Sequence, residues 1–124
     1  MSSFSITGLD HVQLAMPPGQ EDVARAFYCG RLGLREVAKP AALAGRGGCW
    51  FAGAGVNLHL GVEEPFTPAR KAHPALVVDD LEQARAALEG GEVSSLPGWR
   101  RFYIADPFGN RIEVMQPHQD RLLV

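Results

Sequence analysis

The chain repeats itself once, and that repetition constrains its fold more than any single motif. Residues 9–62 and 73–117 each run strand, helix, short strand and hairpin, in that order. In the first half, Leu9 to Ala15 alternates, with Val12 and Leu14 on one face and His11, Gln13 and Ala15 on the other. Pro17-Pro18-Gly19 stops that strand. Glu21 and Asp22 open a helix whose expected inner stripe is Val23, Ala26, Phe27 and Tyr28, ended by Gly30 or Gly33. Leu34–Val37 reads as a short strand, and residues 38–48, rich in Ala, Pro and Gly, as a loop able to wall a pocket. Cys49–Ala52 and Val56–Val62 flank Gly53-Ala54-Gly55 as a hairpin, with Asn57 and His59 facing away from Val56, Leu58, Leu60 and Val62.

After a connector over residues 63–72 the pattern starts again. His73–Val78 is the strand, Asp79 the expected cap of a helix with Glu82 reaching back, and Leu81, Ala84 and Leu88 its apolar face, closed by Gly90-Gly91. Residues 92–96 form a short strand and Pro97-Gly98 a turn. Asp106-Pro107-Phe108-Gly109 then reads as a tight turn between β-prone runs, because proline presets φ and glycine accepts positive φ. In the returning strand Ile112 and Val114 share one face, and Arg111, Glu113 and Met115 the other. His118 and the tail Arg121–Val124 follow the last strand, so His118 is expected to be exposed.

A repeat this short buries only half a core, so its halves must pack together, within the chain or across a dimer. Each half starts on a histidine, His11 or His73, and each closing strand carries a polar donor four residues after a glycine: Gly55 to His59 and Gly109 to Glu113. An acidic side chain in an otherwise apolar strand is costly unless it is hydrated, paired or bound to a cation. If His11, His59, His73 and Glu113 share one concave face, four donors of the kind that bind divalent metals converge at its centre.

Composition narrows the function classes. With 124 residues, 46% hydrophobic and 21% charged, the chain is an ordinary globular protein of one expected domain, 1–124. A net charge of −2 gives no basic surplus for nucleic acid, and no segment reads as a membrane span. Cys29 and Cys49 lack metal or redox spacing, and the N-terminus lacks the pattern of a secretion signal, so the expected compartment is the cytoplasm.

Leu9-Asp10-His11-Val12-Gln13-Leu14, the Phe27-Tyr28 helix with Leu32-Gly33-Leu34, His73 ahead of Val78-Asp79-Asp80-Leu81, and Phe102 to Glu113 together resemble the vicinal oxygen chelate superfamily. This is the glyoxalase, bleomycin-resistance and extradiol dioxygenase group. The resemblance spans about residues 9 to 117 and implies an α+β fold: two tandem βαβββ modules forming a cupped mixed sheet with helices on the outer face. It implies a metal held by His11, His59, His73 and Glu113, with His11, His73 and Glu113 matching the two-histidine, one-glutamate set of its thiol transferases and extradiol dioxygenases. His59 departs from glyoxalase I, which has a carboxylate there. Modules of this family often pair across a homodimer, and both intramolecular and swapped closure fit the 63–72 connector.

The leading expectation is a lyase- or isomerase-type enzyme acting on a small oxygen-rich, anionic substrate. A divalent ion (Zn, Ni, Mn, Co or Fe) would chelate two neighbouring oxygens and stabilise an enolate or oxyanion. Glu113 and His59 are the candidate catalytic groups, and Gln13, Trp50, Arg100, Arg101 and Tyr103 the candidate substrate-binding residues. The alternatives are an Fe(II) extradiol-type dioxygenase using His11, His73 and Glu113, and a metal-free protein that binds a drug or other flat ligand.

Overall fold

Two four-stranded mixed sheets, one from each half of the chain, are built by the same sequence of elements. In the computed structural model, which describes residues 3–118, the first half contains β1 (Val12–Met16), α1 (Glu21–Tyr28), β2 (Arg35–Val37), β3 (Cys49–Gly53) and β4 (Val56–Val62). The second contains β5 (Ala75–Val77), α2 (Leu81–Leu88), β6 (Ser94–Leu96), β7 (Trp99–Ala105) and β8 (Arg111–Pro117). The sheet orders are β1-β4-β3-β2 and β5-β8-β7-β6, so each module pairs its first and last strands in parallel and its remaining neighbours antiparallel. This is the tandem βαβββ architecture. The tail from Arg121 lies outside the described residues.

Strand alternation gives each sheet one apolar face. Leu14, Met16, Phe51, Leu58 and Leu60 in the first module, and Phe102, Ile112 and Val114 in the second, join Phe27, Tyr28 and Leu81 in one buried cluster. Each such side chain, fully buried, is worth about 1.5–3 kcal/mol. α1 packs on β3, and α2 on β7 and β8.

The two modules are riveted at the Asp106 turn. Asp106 Oδ1 accepts the backbone N–H groups of Phe108 (2.9 Å) and Asn110 (2.8 Å), and the turn closes with Gly109 N–H donating to Asp106 O at 3.0 Å. Gly109 sits at φ +94°, where a side chain is strained. Asp106 Oδ2 accepts from Tyr28 Oη at 2.7 Å, which ties the turn to α1. Burial and the adjacent carboxylate push the Tyr28 hydroxyl well above its usual range. Asn110, fully buried, donates to Ala15 O and accepts from Ala69 N–H, joining β1, the connector and the turn.

Several boundaries differ from the sequence expectation. β1 starts at Val12, leaving Leu9 exposed ahead of it. The buried stripe of α1 keeps Phe27 and Tyr28 as expected and adds Ala24, whereas Val23 and Ala26 face solvent. Asp80, not Asp79, caps α2 through Gln83 N–H, and Glu82 turns to Arg100 instead of back to the cap. His118 is half-buried, its N–H donating to Gly98 O. The 38–48 loop contains a 3-10 helix at Ala41–Arg46.

Candidate metal centre

Register places the four metal-competent residues at matching positions. On β4, His59 lies opposite Gln13 of β1 and Trp50 of β3; on β8, Glu113 lies opposite Ala75 of β5 and Tyr103 of β7. His11 and His73 each stand two residues ahead of the β1 or β5 member of that row. Both pairs project from the sheet face opposite the core side chains.

The first pair is a stack of rings. His11 lies over His59 with centroids 4.1 Å apart, and Trp50 stacks on His59 at 3.9 Å. His11 Nδ1 donates to Asp10 Oδ2 at 2.8 Å. His59 is 6% exposed, and its Nδ1 is buried without a hydrogen-bond partner among the described residues. Burial, reinforced by the neighbouring His11, lowers its pKa against the weaker opposing field of Asp10, so the ring stays neutral and keeps a lone pair for a cation.

The second pair is a hydrogen-bonded network. His73 Nδ1 donates to Lys71 O at 2.8 Å, and its Nε2 lies 3.0 Å from Glu113 Oε1. Glu113, also 6% exposed, receives Arg101 on Oε2 at 3.2 Å, and Arg101 donates to Tyr103 Oη at 2.9 Å. Arg111 completes this face with its guanidinium 3.8 Å from the Tyr103 ring centre. Its side of the strand was readable from alternation with Glu113, but its stacking role was not.

Convergence of all four donors does not occur within one chain. Among the described residues no group of three or more His, Cys, Asp or Glu side chains is placed to hold a metal, because each pair is carried by a different sheet. His73 borders a cleft of about 510 Å³ and His11 one of about 350 Å³, both between β1 and the start of β5, whereas His59 and Glu113 line neither. Of the expected substrate-binding residues, Gln13 and Trp50 lie in the His59 row, and Arg101 and Tyr103 on the Glu113 face. Arg100 does not belong with them. It alternates to the helix side and pairs with Glu82 of α2.

With that arrangement in place, comparison with known proteins is decisive at the family level. The model of the Glyoxalase/Bleomycin resistance protein/Dioxygenase superfamily matches residues 8–114. The chain belongs to this superfamily. A glyoxalase family protein from Bacillus anthracis is 43% identical, with TM-score 0.88 over 94% of this chain and all of that one. The fosfomycin resistance protein FosX from Listeria monocytogenes superposes with TM-score 0.73 at 14% identity, over 94% of this chain and 98% of its own. Lactoylglutathione lyase from Agrobacterium tumefaciens does so with TM-score 0.63 at 22% identity, over 85% and 91%. At those identities the last two likenesses speak for the glyoxalase-superfamily fold alone. None of the curated protein sequences compared with the chain matches it. Among the described residues no helix is long and apolar enough to cross a membrane.

Proposed function

We propose that this glyoxalase-superfamily protein is a divalent-metal-dependent enzyme of lyase or isomerase type, acting on a small oxygen-rich substrate, with His11, His59, His73 and Glu113 as the ligand set. The observation that carries the reading is the His73–Glu113 contact. With Nδ1 donating to Lys71 O, a neutral His73 turns the lone pair of Nε2 toward a carboxylate oxygen that also offers only lone pairs, at 3.0 Å. A proton or a cation must be shared between them. Ligating histidines typically give their other N–H to a carbonyl or carboxylate, and His73 and His11 both do so.

A bound divalent ion would supply Lewis-acid polarisation of two neighbouring substrate oxygens. The chain's own groups do the rest. Glu113 would be a ligand that can also take up a substrate proton, with Arg101 holding its second oxygen. His59 would serve either as fourth ligand or as general base, since a neutral imidazole has one lone pair to give. Trp50 and Gln13 on one side, and Tyr103 with Arg101 on the other, form the walls against which a substrate would be oriented.

Because the pairs reside on separate modules, we infer a homodimer in which each site takes His11 and His59 from one chain and His73 and Glu113 from the other. Each chain is then one domain, 1–124, whose modules at about 9–62 and 73–117 serve two different sites.

Metal content tests the reading. Protein purified without chelator is expected to hold about one equivalent of a divalent ion per site, lost in His11→Ala and in Glu113→Ala. Unfolding and refolding those two variants together should then restore up to one intact site per mixed dimer. Intramolecular sites would give no restoration. Failure of the wild-type protein to take up Zn, Mn, Ni, Co or Fe would overturn the enzyme reading in favour of ligand binding, and iron as the native ion would redirect it to oxygen chemistry.

A further inference from the structure

The loop ahead of β3 closes over the first module's polar face and makes a second, basic compartment there. One step along the strands from the Gln13–His59–Trp50 row, Ala15 pairs with Gly61. Gly61 leaves room for the Gln13 amide: a Cβ there would land 2.6 Å from Gln13 Nε2 and make that side chain move. Over this gap stands the 3-10 helix Ala41–Arg46, followed by Gly47 and Gly48, both at positive φ. Gly48 is forced, since a Cβ would fall 2.1 Å from Leu60 O. The result is a cavity of about 260 Å³ bordered by Gln13, Lys39, Arg46, Trp50 and Gly61.

Its charges are unbalanced toward the positive. Lys39 spends one N–H on Gly47 O, and Arg46 has no ion-pair partner among the described residues. Glu21, which lies within the field of Lys39, has Oε2 engaged by Gly48 N–H at 3.0 Å. Two cations and a side-chain amide around a partly enclosed space with an indole wall suit a small oxyanion: a guanidinium offers a paired fork and an ammonium a point charge.

We propose that this cavity is a subsite for the carboxylate or phosphate group of a small organic ligand, held by Arg46 and Lys39 with Gln13 as a further donor. The ligand's carbon skeleton extends along Trp50 toward His59. The direction of that skeleton rests on the metal-enzyme reading; the anion site itself does not. Neither Lys39 nor Arg46 stood out in the sequence, because a lone basic residue in an Ala- and Gly-rich loop reads as solvated charge.

Inorganic phosphate tests the site. It is titrated into the full chain, as purified and again after chelator treatment, and followed by the amide resonances of Gly47 and Gly48 and the side-chain resonance of Arg46. Saturable shifts at these groups are expected in both preparations. Lys39→Ala and Arg46→Ala should each weaken binding on the order of tenfold, with the remaining spectrum unchanged, and added salt should weaken it further. Shifts confined to the Glu113 face, sensitivity to Arg111→Ala but to neither loop variant, or binding abolished by chelator would each overturn the proposal. A protein that binds no metal yet shows the Lys39- and Arg46-dependent shifts would sink the metal reading and leave the anion site standing.

Discussion

The two modules share a strand order and a register, yet their equivalent rows do opposite kinds of chemistry. In the first, His59 is sandwiched between the rings of His11 and Trp50 and forms no hydrogen bond through its buried Nδ1 among the described residues. In the second, Glu113 occupies the matching position, with one oxygen accepting from Arg101 and the other 3.0 Å from His73 Nε2. The difference follows from one exchange. A neutral imidazole tolerates a desolvated stack, whereas a carboxylate with the same 6% exposure requires donors or cations around it. The repeated backbone therefore supplies positions, and single residues decide whether a position is apolar and stacked or ionic and wired.

The sharpest test of how deep the equivalence goes is in the core. Phe51 and Phe102 are both fully buried on the helix-facing sides of β3 and β7. Phe51→Ala and Phe102→Ala are each expected to cost about 3–5 kcal/mol in urea denaturation, through lost transfer energy plus the cavity left behind. Near-equal losses in a single cooperative transition would show that the modules share one core, as the continuous buried cluster implies. Two separate transitions, with each substitution moving only its own, would break the comparison at its base.

Much of this was legible in the sequence because the strand period of two is strict. Counting from Gly55 and Gly109 puts His59 and Glu113 on the polar faces without any tertiary information, and the structure keeps both there. Helices were read less well. Phe27 and Tyr28 of α1 are buried as expected, but Ala24 rather than Val23 completes that stripe and Asp80 rather than Asp79 caps α2, since neighbouring residues in a segment of eight have comparable local credentials. The Tyr28–Asp106 bond was out of reach: it joins residues 78 positions apart, and the turn motif explains Asp106 locally without it. Arg100 was misplaced for a related reason. Adjacent arginines on a strand must diverge, and only the packed position of α2 shows that Arg100 is the one drawn to Glu82. The sequence already put two donors in each half, but that the two pairs do not come together within one chain is a property of module packing, which spacing does not encode.

The wired and stacked rows should respond differently to loss of support. Arg101→Ala leaves Glu113 Oε2 without its guanidinium, and metal affinity measured by chelator competition is expected to fall about 10–100-fold. Trp50→Ala removes only a ring contact from His59 and should cost less than about tenfold in the same assay. Equal losses would mean that the stacked tryptophan holds His59 as firmly as a charge-assisted bond holds Glu113. A larger loss for Trp50→Ala would reverse the contrast between the modules.

The smallest effect expected separates how the two helices are anchored. α2 begins with Leu81 N–H donating to the neutral amide of Gln116 at 2.9 Å, whereas Glu21 at the start of α1 uses a carboxylate to hold Gly48 N–H. That backbone bond, first among its causes, lowers the Glu21 pKa below the ordinary 4.5. A group whose folded pKa is depressed stabilises the fold fully above the ordinary value, and that stabilisation disappears as pH falls through the folded value. Glu21 is partly exposed, so solvent screening keeps the contribution below about 1 kcal/mol. Urea unfolding of wild type and Glu21→Gln should therefore differ most at neutral pH, with the wild type more stable, and converge below pH 4.5 as the Glu21 carboxylate takes up its proton. Carboxylates common to both proteins cancel in that difference. A gap that stays constant through the acid range would show that Glu21 holds the loop by shape and not by charge, making the first module's anchor equivalent to the amide anchor of the second.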